Sequence, residues 1–253
     1  MTATFECKGL SKRFGATQAL EDVNISIAPG RVVGLLGPNG SGKTTLIKLA
    51  NGLLSPSQGE LLICGSRPGP ETKAVVSYLP DKPCMPQWMN AVQLMDFFQD
   101  FYADFDRQRA EEMLARLGLD RKQKLSQMSK GTKEKVQLIM VMSRKAKLYL
   151  LDEPIGGVDP ATRDYILDTI IRNYDPEAVV LISTHLISDV EKVLDEVLFI
   201  REGKVTLHAS VDDIRQQYGM SVDEYFREVF KCYGNSLSMS CGAAEGPCCP
   251  LFW

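Results

Sequence analysis

The stretch GPNGSGKTT, from Gly37 to Thr45, decides the fold of this chain. It satisfies the pattern G-x-x-x-x-G-K-[ST] of a phosphate-binding loop, in which a lysine and a hydroxyl residue close a glycine-rich turn. The apolar run RVVGLL (31–36) precedes it, and a helix-like segment that ends at Gly52 follows it. A chance glycine-rich turn would not need this strand–loop–helix context, so the stretch predicts a phosphate-binding α/β domain.

Each residue type in this stretch has a chemical reason to be there. Glycines lack a Cβ atom, so the backbone N–H groups can turn inward around a phosphate. The helix that follows offers further free N–H groups and its positive end to the same anion. A lysine reaches the terminal phosphates as a mobile charge, and a threonine supplies a hydroxyl ligand to Mg²⁺. The predicted phosphate-binding residues are Gly37, Pro38, Asn39, Gly40, Ser41, Gly42, Lys43, Thr44 and Thr45, with Thr44 also a metal ligand.

On either side of this loop, short apolar runs alternate with helix-like segments, which is typical of βαβ units and a mainly parallel sheet. From residue 81 to about residue 147 the pattern is helical instead, and no Gly/Ser/Pro-rich linker flanks this block. We therefore expect one α/β core that carries a helical insert. The predicted strands are 23–27, 32–36, 61–64, 74–79, 148–151, 178–183 and 197–200; the predicted helices are 44–51, 91–102, 106–117 and 129–145, with two more from Pro160 and Ser188.

Composition argues against several classes of protein. The 253 residues carry 29 Lys and Arg against 32 Asp and Glu, a net charge of −3, without the basic excess of an electrostatically driven nucleic-acid binder. Seven cysteines with no metal-type spacing argue against a secreted disulfide framework. No signal-peptide pattern opens the chain, and no apolar run approaches the ~18 residues of a membrane span. We expect a cytosolic protein whose tail is disordered or loosely docked from Ser236 onward.

Two carboxylates follow a later apolar run. The run LYLL (148–151) ends in Asp152 and Glu153. Because ligands gather at the carboxyl ends of strands in open α/β sheets, Asp152 would hold Mg²⁺ directly or through water. Glu153 would orient and deprotonate an attacking water molecule. Without the phosphate loop, the pair would be no more than an acidic strand end.

The two histidines lie in different contexts. His185 follows the apolar run VVLIST (179–184), at another predicted strand end, where an imidazole could contact a γ-phosphate and position Glu153. A lone histidine is more often structural, so its functional role depends on the other motifs. His208 lies in the alternating stretch GKVTLHAS, which predicts a surface strand.

Five motifs follow one another along the chain: GPNGSGKTT (37–45), MSKGTKEK (128–135), LYLLDEP (148–154), GGVDP (156–160) and STH (183–185). Together they resemble the ATP-binding subunit of ABC transporters, in that family's order and spacing. The resemblance covers Phe5 to Tyr218, and it implies a P-loop NTPase (RecA-like) core with an antiparallel β edge and an inserted α-helical subdomain. It implies an ATP-binding domain over 1–220, with its core in 1–80 and 146–220 and its helical subdomain in 81–145, followed by a C-terminal helix and tail over 221–253.

Two of these motifs imply contacts with a second subunit. The segment Met128–Thr132 is similar to the family's signature, usually LSGGQ, so Ser129 and Gly131 would bind ATP that the opposite subunit holds. Considered without the family, Ser129 caps a helix whose positive end could meet an anion, or that simply faces solvent. Asp159 would lie at the same interface, and it could equally be an N-cap before Pro160.

Two further positions are open to more than one interpretation. Phe14 matches the place where the family stacks an aromatic ring against adenine, although a core or edge phenylalanine fits nearly as well. Asp81 stands where the family usually has glutamine. Its carboxylate can reach Mg²⁺ through water, yet it adds negative charge beside a triphosphate and cannot donate a hydrogen bond unless protonated. The change leaves the hydrolysis rate and the coupling to a membrane subunit open.

The resemblance implies Mg²⁺-dependent ATP hydrolysis that moves a substrate through a separate transmembrane permease subunit, with export as the direction. It also implies a homodimer or heterodimer of ATP-binding subunits on the cytoplasmic face of the membrane, without a nucleic-acid partner. The alternative is a nucleotide-dependent regulatory or binding module with little turnover, which Asp81 keeps open. A DNA-repair or translation protein of the family is disfavoured, because 253 residues leave no room for a second cassette or a long coiled coil.

Overall fold

A computed structural model describes residues 3–82 and 84–231, so the predicted tail from Ser236 onward lies outside the described residues. The strands are β1 (Phe5–Phe14), β2 (Thr17–Ile27), β3 (Val32–Leu36), β4 (Gln58–Ile63), β5 (Val76–Leu79), β6 (Leu148–Asp152), β7 (Val179–Thr184), β8 (Glu196–Arg201) and β9 (Lys204–Ser210). The α-helices are α1 (Lys43–Ala50), α2 (Pro70–Val75), α3 (Ala91–Phe101), α4 (Arg107–Arg116), α5 (Lys130–Met142), α6 (Pro160–Asn173), α7 (Ile187–Val190), α8 (Val211–Tyr218) and α9 (Val222–Lys231).

Several elements differ from the sequence-based expectation, including α8 and the first part of β2, which were not predicted. Strand β1 was not predicted, because its alternation breaks at Gly9, where φ is +56° and the register with β2 shifts. The strand predicted over 74–79 begins only at Val76, because Pro70 starts the short helix α2. The helix predicted from Ser188 is the four-residue α7.

Six strands form one sheet in the order β5-β6-β7-β3-β8-β9, parallel except for β9. The register pairs Leu36 with Thr184 and Asp152 with Ser183. The carboxyl ends of β3, β6 and β7 therefore lie side by side. As a result, the phosphate loop, the two carboxylates and His185 follow neighbouring strand ends.

A second sheet, in the order β2-β1-β4, is antiparallel and confirms the predicted antiparallel β edge. Alternate residues of β3 face opposite sides of the parallel sheet. Val33 and Leu35 pack with Leu46 of α1 and with the antiparallel sheet, while Val32 and Leu36 join the cluster that includes α3 to α6. The phosphate loop thus leaves a strand that is buried on both faces, as expected for a parallel sheet.

Helices α3 to α5 lie between β5 and β6 in the chain, and a buried guanidinium ties them to the sheet. Arg144 is 2% exposed, pairs with Asp104 through Nε at 3.0 Å and donates to the carbonyl oxygens of Ala74 and Val76. Its guanidinium lies 3.8 Å from the ring centroid of Tyr102. One apolar cluster continues from α3 into the sheet, so the division at 80/81 and 145/146 stays a prediction. Within residues 3–82 and 84–231, no helix combines the length and apolar character of a bilayer span.

Candidate functional site

The backbone of the phosphate loop lies in close contact with the backbones of β2 and β8. Helix α1 begins at Lys43, directly after Gly42, whose φ of +112° suits only glycine. A Cβ atom at Gly42 would lie 2.7 Å from the carbonyl oxygen of Ala19 on β2, and one at Gly37 would lie 2.3 Å from that of Ile200 on β8. Both glycines are therefore required by close backbone approach, which the sequence pattern alone did not show.

Lys43 is held inside the loop. Its Nζ donates to the carbonyl oxygens of Gly37 at 2.8 Å and Pro38 at 3.1 Å, and the residue is 6% exposed. Burial lowers the pKa of Lys43, while the negative charges of Glu153, at 3.9 Å, and Asp152 oppose that shift. A buried ammonium group among carbonyl oxygens is well placed to exchange some of these contacts for phosphate oxygens.

Asp152 carries an oxygen that suits a metal ion. Its Oδ1 accepts hydrogen bonds from Thr44 Oγ1 at 3.1 Å and Ser183 Oγ at 2.5 Å. Its Oδ2 is buried and has no hydrogen-bond partner among the described residues. Burial raises the pKa of Asp152, the charges of Asp81 and Glu153 raise it further, and the two hydroxyl groups oppose the shift. Each of these features marks a carboxylate that a cation would stabilise.

These residues suit an Mg²⁺ ion that also keeps phosphate and water ligands, rather than an ion held by protein ligands alone. A threonine hydroxyl and a carboxylate oxygen with no protein partner are hard oxygen ligands, which Mg²⁺ prefers. Over residues 3–82 and 84–231, no group of three or more His, Cys, Asp or Glu is arranged to hold a metal ion. That finding agrees with Mg²⁺ chemistry, because this ion usually takes one or two protein carboxylates together with phosphates and water.

Glu153 and His185 form a pair across two strand ends. His185 Nδ1 lies 3.1 Å and 3.0 Å from the two carboxylate oxygens of Glu153, whose side chain is 14% exposed. Glu153 has a φ of +51°, a left-handed conformation that is strained for a residue with a side chain. Its N–H donates to the carbonyl oxygen of Ser183 at 3.0 Å, which helps to hold that conformation.

A cleft of about 590 Å³ collects most of these groups. The sequence did not point to its β2 wall, because Thr17, Gln18 and Ala19 carry no motif; the predicted contact of the nearby Phe14 with adenine was the only signal. Its lining is Thr17, Gln18, Ala19, Asn39, Gly40, Gly42, Lys43, Thr44, Thr45, Asp81, Glu153, Gly156, Gly157 and His185. Most residues predicted to bind phosphate, hold the metal ion or activate water therefore share one concave surface, whereas Gly37, Pro38, Ser41 and Asp152 are not part of its lining.

Comparison with known proteins agrees with this geometry. The profile of the family described as ABC transporter matches residues 20–156, more than half of the chain. This chain belongs to the ABC transporter family. It is 31% identical to the SkfA peptide export ATP-binding protein SkfE of Bacillus subtilis (strain 168) over 235 residues, which cover 90% of this chain and 96% of that protein.

Other relatives within the ABC transporter family carry similar descriptions. The ABC transporter ATP-binding protein YtrB of Bacillus subtilis (strain 168) is 29% identical over 216 residues, which cover 84% of this chain and 74% of YtrB. A solved ATP-binding subunit of an ABC transporter superposes with a TM-score of 0.81 at 31% identity, covering 90% of this chain and 99% of that structure. The chain is thus an ABC transporter ATP-binding protein, and the predicted P-loop NTPase fold is confirmed.

The lining of the cleft also lacks the three residues predicted to contact the nucleotide of the opposite subunit, Ser129, Gly131 and Asp159. Ser129 accepts a hydrogen bond from Thr132 N at 3.2 Å and caps α5, and Asp159 caps α6. Hydrogen bonds from Thr162 lower the pKa of Asp159. Gly131 lies in the first turn of α5, where an added Cβ atom would meet open space. Both capping roles are present, and the nucleotide roles of all three residues stay predictions.

Phe14 and His208 both lie at the edges of the fold, outside the lining of the cleft. Phe14 ends β1 and is 46% exposed, with Lys12 Nζ 4.9 Å from its ring centroid. It does not line the cleft, so its contact with adenine stays a prediction. His208 lies on β9 with Nε2 2.8 Å from the carboxylate of Glu196, as fits the predicted surface strand.

Proposed function

We propose that this ABC protein hydrolyses Mg·ATP and thereby drives a separate membrane permease. One observation carries the proposal: Lys43, Thr44, Asp152, Glu153 and His185 meet at the carboxyl edge of a single parallel sheet. A phosphate-binding helix end, a metal-suited carboxylate and a carboxylate that faces an imidazole are the parts that phosphoryl transfer to water requires.

The residues divide the work as follows. Lys43 and the N–H groups at the start of α1 bind the phosphates. Thr44 and Asp152 would hold Mg²⁺, which would neutralise charge on the phosphates, and Asp81 would reach the ion through water. Glu153 would accept a proton from the attacking water at a carboxylate oxygen. His185 would orient that carboxylate through Nδ1 and contact the γ-phosphate.

We further propose a dimer, either of two copies or of this chain with a related ATP-binding subunit. The first turn of α5 supports it, because Ser129 is exposed there and the side chain of Lys130 is 70% exposed, where it adds positive charge. Ser129, Gly131 and Asp159 would contact the nucleotide of the opposite subunit, and Phe14 would contact adenine. The name of SkfE supports export, which would place the dimer on the cytoplasmic face of a membrane.

Substitution of the proposed base tests hydrolysis directly. Glu153→Gln removes the proton acceptor but keeps the shape of the side chain, so kcat should fall at least about 100-fold while ATP still binds. The variant should also accumulate an ATP-bound dimer, visible by size exclusion. Glu177→Gln, an exposed carboxylate before β7 at the opposite end of the sheet, is the matched control. Equal rates for parent and Glu153→Gln would remove Glu153 from this role.

Asp81 favours a second candidate, a nucleotide-dependent regulatory module with little turnover. Its negative charge raises the pKa of Asp152 and therefore works against the ionised metal ligand. Asp81→Gln removes that charge. Slow hydrolysis with tight ATP binding, unchanged when a co-purified permease is added, would support the regulatory candidate over the transport motor.

A further inference from the structure

Two buried oxygen atoms on α5 lack hydrogen-bond partners among the described residues. They are Glu134 Oε2 and Gln137 Oε1, and Gln137 is only 3% exposed. The two residues are three positions apart on the helix, so their side chains share one face. Buried polar atoms in folded proteins are almost always hydrogen-bonded, to protein or to ordered water.

Both residues line the same small cavity of about 20 Å³. Its opposite wall comes from Asp81, after β5, and from Glu153 and Gly156, after β6. A cavity needs roughly 10–15 Å³ of such volume to hold one water molecule, so the space suits one water and little more. The cavity lies between the helix that begins with the signature segment and the two loops that carry candidate catalytic groups.

The chemistry of the lining selects the occupant. The two unpartnered atoms are acceptors, so the occupant must donate two hydrogen bonds, as water does. Mg²⁺ needs about six oxygen ligands in octahedral geometry. Among residues 3–82 and 84–231, no three or more Asp, Glu, His or Cys side chains are arranged to hold a metal ion, so the lining does not offer that ligand set. Burial also raises the pKa of Glu134, while Lys130, 3.7 Å from Oε1, opposes that shift. A hydrogen-bonded water at Oε2 would reduce the cost of burying this carboxylate.

We propose that this cavity is a binding site for one water molecule, which donates hydrogen bonds to Glu134 and Gln137 and fills the space between α5 and the loops that carry Asp81 and Glu153. Glu134 and Gln137 are then positioning residues: they keep the signature helix in register with the proposed base. This effect on catalysis rests on the proposed ATP hydrolysis, whereas the water site itself does not.

A crystal structure of the nucleotide-free full chain, at a resolution that shows ordered water, tests the site. We expect a peak about 2.7–3.2 Å from both Glu134 Oε2 and Gln137 Oε1. An empty cavity would overturn the proposal. A turned Gln137 amide that donates straight to Glu134, or a peak with the short, multiple contacts of a cation, would overturn it as well.

A pair of variants tests the positioning role. Gln137→Met keeps the volume of the side chain but removes the acceptor, so the water peak should disappear. Hydrolysis should fall at least about threefold in kcat, with KM for ATP within about twofold, because nucleotide contacts are intact. Met140→Leu, a fully buried change on the same helix outside the cavity lining, is the control and should keep both values.

The melting temperature, kcat and the electron density at the cavity together distinguish a failure to fold, a failure of the positioning role and a failure of the water site. Melting temperatures of both variants show whether a loss of folding explains a lower rate. An unchanged kcat in Gln137→Met overturns the positioning role even where the water is seen. A parent protein that binds ATP without turnover contradicts the proposed hydrolysis, and the electron density at Glu134 and Gln137 still decides the water site.

Discussion

The two helix ends that were predicted to contact nucleotide are built differently. Helix α1 starts after Gly42, which has no side chain to cap it, so its first N–H groups are open to an anion. Helix α5 starts after Ser129, whose hydroxyl already accepts a hydrogen bond from Thr132 N. One helix end has no side-chain cap, whereas at the other a serine already binds one N–H group of the first turn.

Their electrostatic surroundings differ in the same way. Around α1, burial lowers the pKa of Lys43 and raises that of Asp152, and buried oxygen atoms of Ser41 and Asp152 have no partner in the described part of the chain. Around the start of α5, Ser129 and Lys130 are exposed. The start of α1 therefore suits charged ligands, and the burial of its charged groups costs folding stability. The start of α5 is capped by its own serine and is exposed to solvent.

The largest effect is expected at Lys43. Lys43→Met removes a charge-assisted contact to phosphate, so ATP affinity measured by calorimetry should fall about 100-fold. Lys48→Met, an exposed change in the same helix, should leave affinity within about twofold. If Lys43→Met binds ATP as tightly as the parent, the idea that α1 is the ligand-shaped end is wrong.

A smaller, pH-dependent effect is expected at Asp152. Because its pKa is raised in the folded protein, the ionised carboxylate costs stability, and that cost grows as pH rises from about 3.8 through the folded pKa. Asp152→Asn should therefore raise the free energy of unfolding of the nucleotide-free, metal-free protein at pH 7 but not at pH 3.

The same variant should weaken Mg²⁺-dependent ATP binding at least about tenfold, since a ligand to the ion is lost. Denaturant titrations across pH, with and without Mg·ATP, measure both quantities. If the free energy of unfolding depends on pH in the same way in the parent and in Asp152→Asn, the ionised Asp152 carboxylate does not destabilise the protein.

The smallest effect is expected at Ser129. Ser129→Ala removes the cap of α5 and should lower the free energy of unfolding by about 1 kcal/mol, with Ser129→Asn restoring most of it. ATP affinity at protein concentrations where the chain is monomeric should change less than about twofold, because Ser129 does not line the cleft of its own chain. A large loss of affinity under those conditions would break the contrast between the two ends.

Sequence reasoning located the elements whose patterns are local. The buried runs of β3, β6 and β7 were predicted to within one residue at each end, because both faces of these strands are apolar. Strand β1 escaped prediction, because its pairing is interrupted by bulges that only the partner strands define. The short helix α2 was missed because its last two residues, Ala74 and Val75, belong to the apolar run that was predicted as a strand.

The sequence by itself determined the identity and spacing of the reactive groups: a lysine and a threonine after a glycine-rich turn, two carboxylates after a strand, and a histidine after another. These are local properties of the chain. Only the tertiary structure decided which of their atoms lack partners, that Thr17 and Gln18 wall the cleft, and that Glu134 and Gln137 face Asp81 and Glu153 across a small cavity. Burial and hydrogen bonding depend on segments far apart in the chain, so no local pattern encodes them.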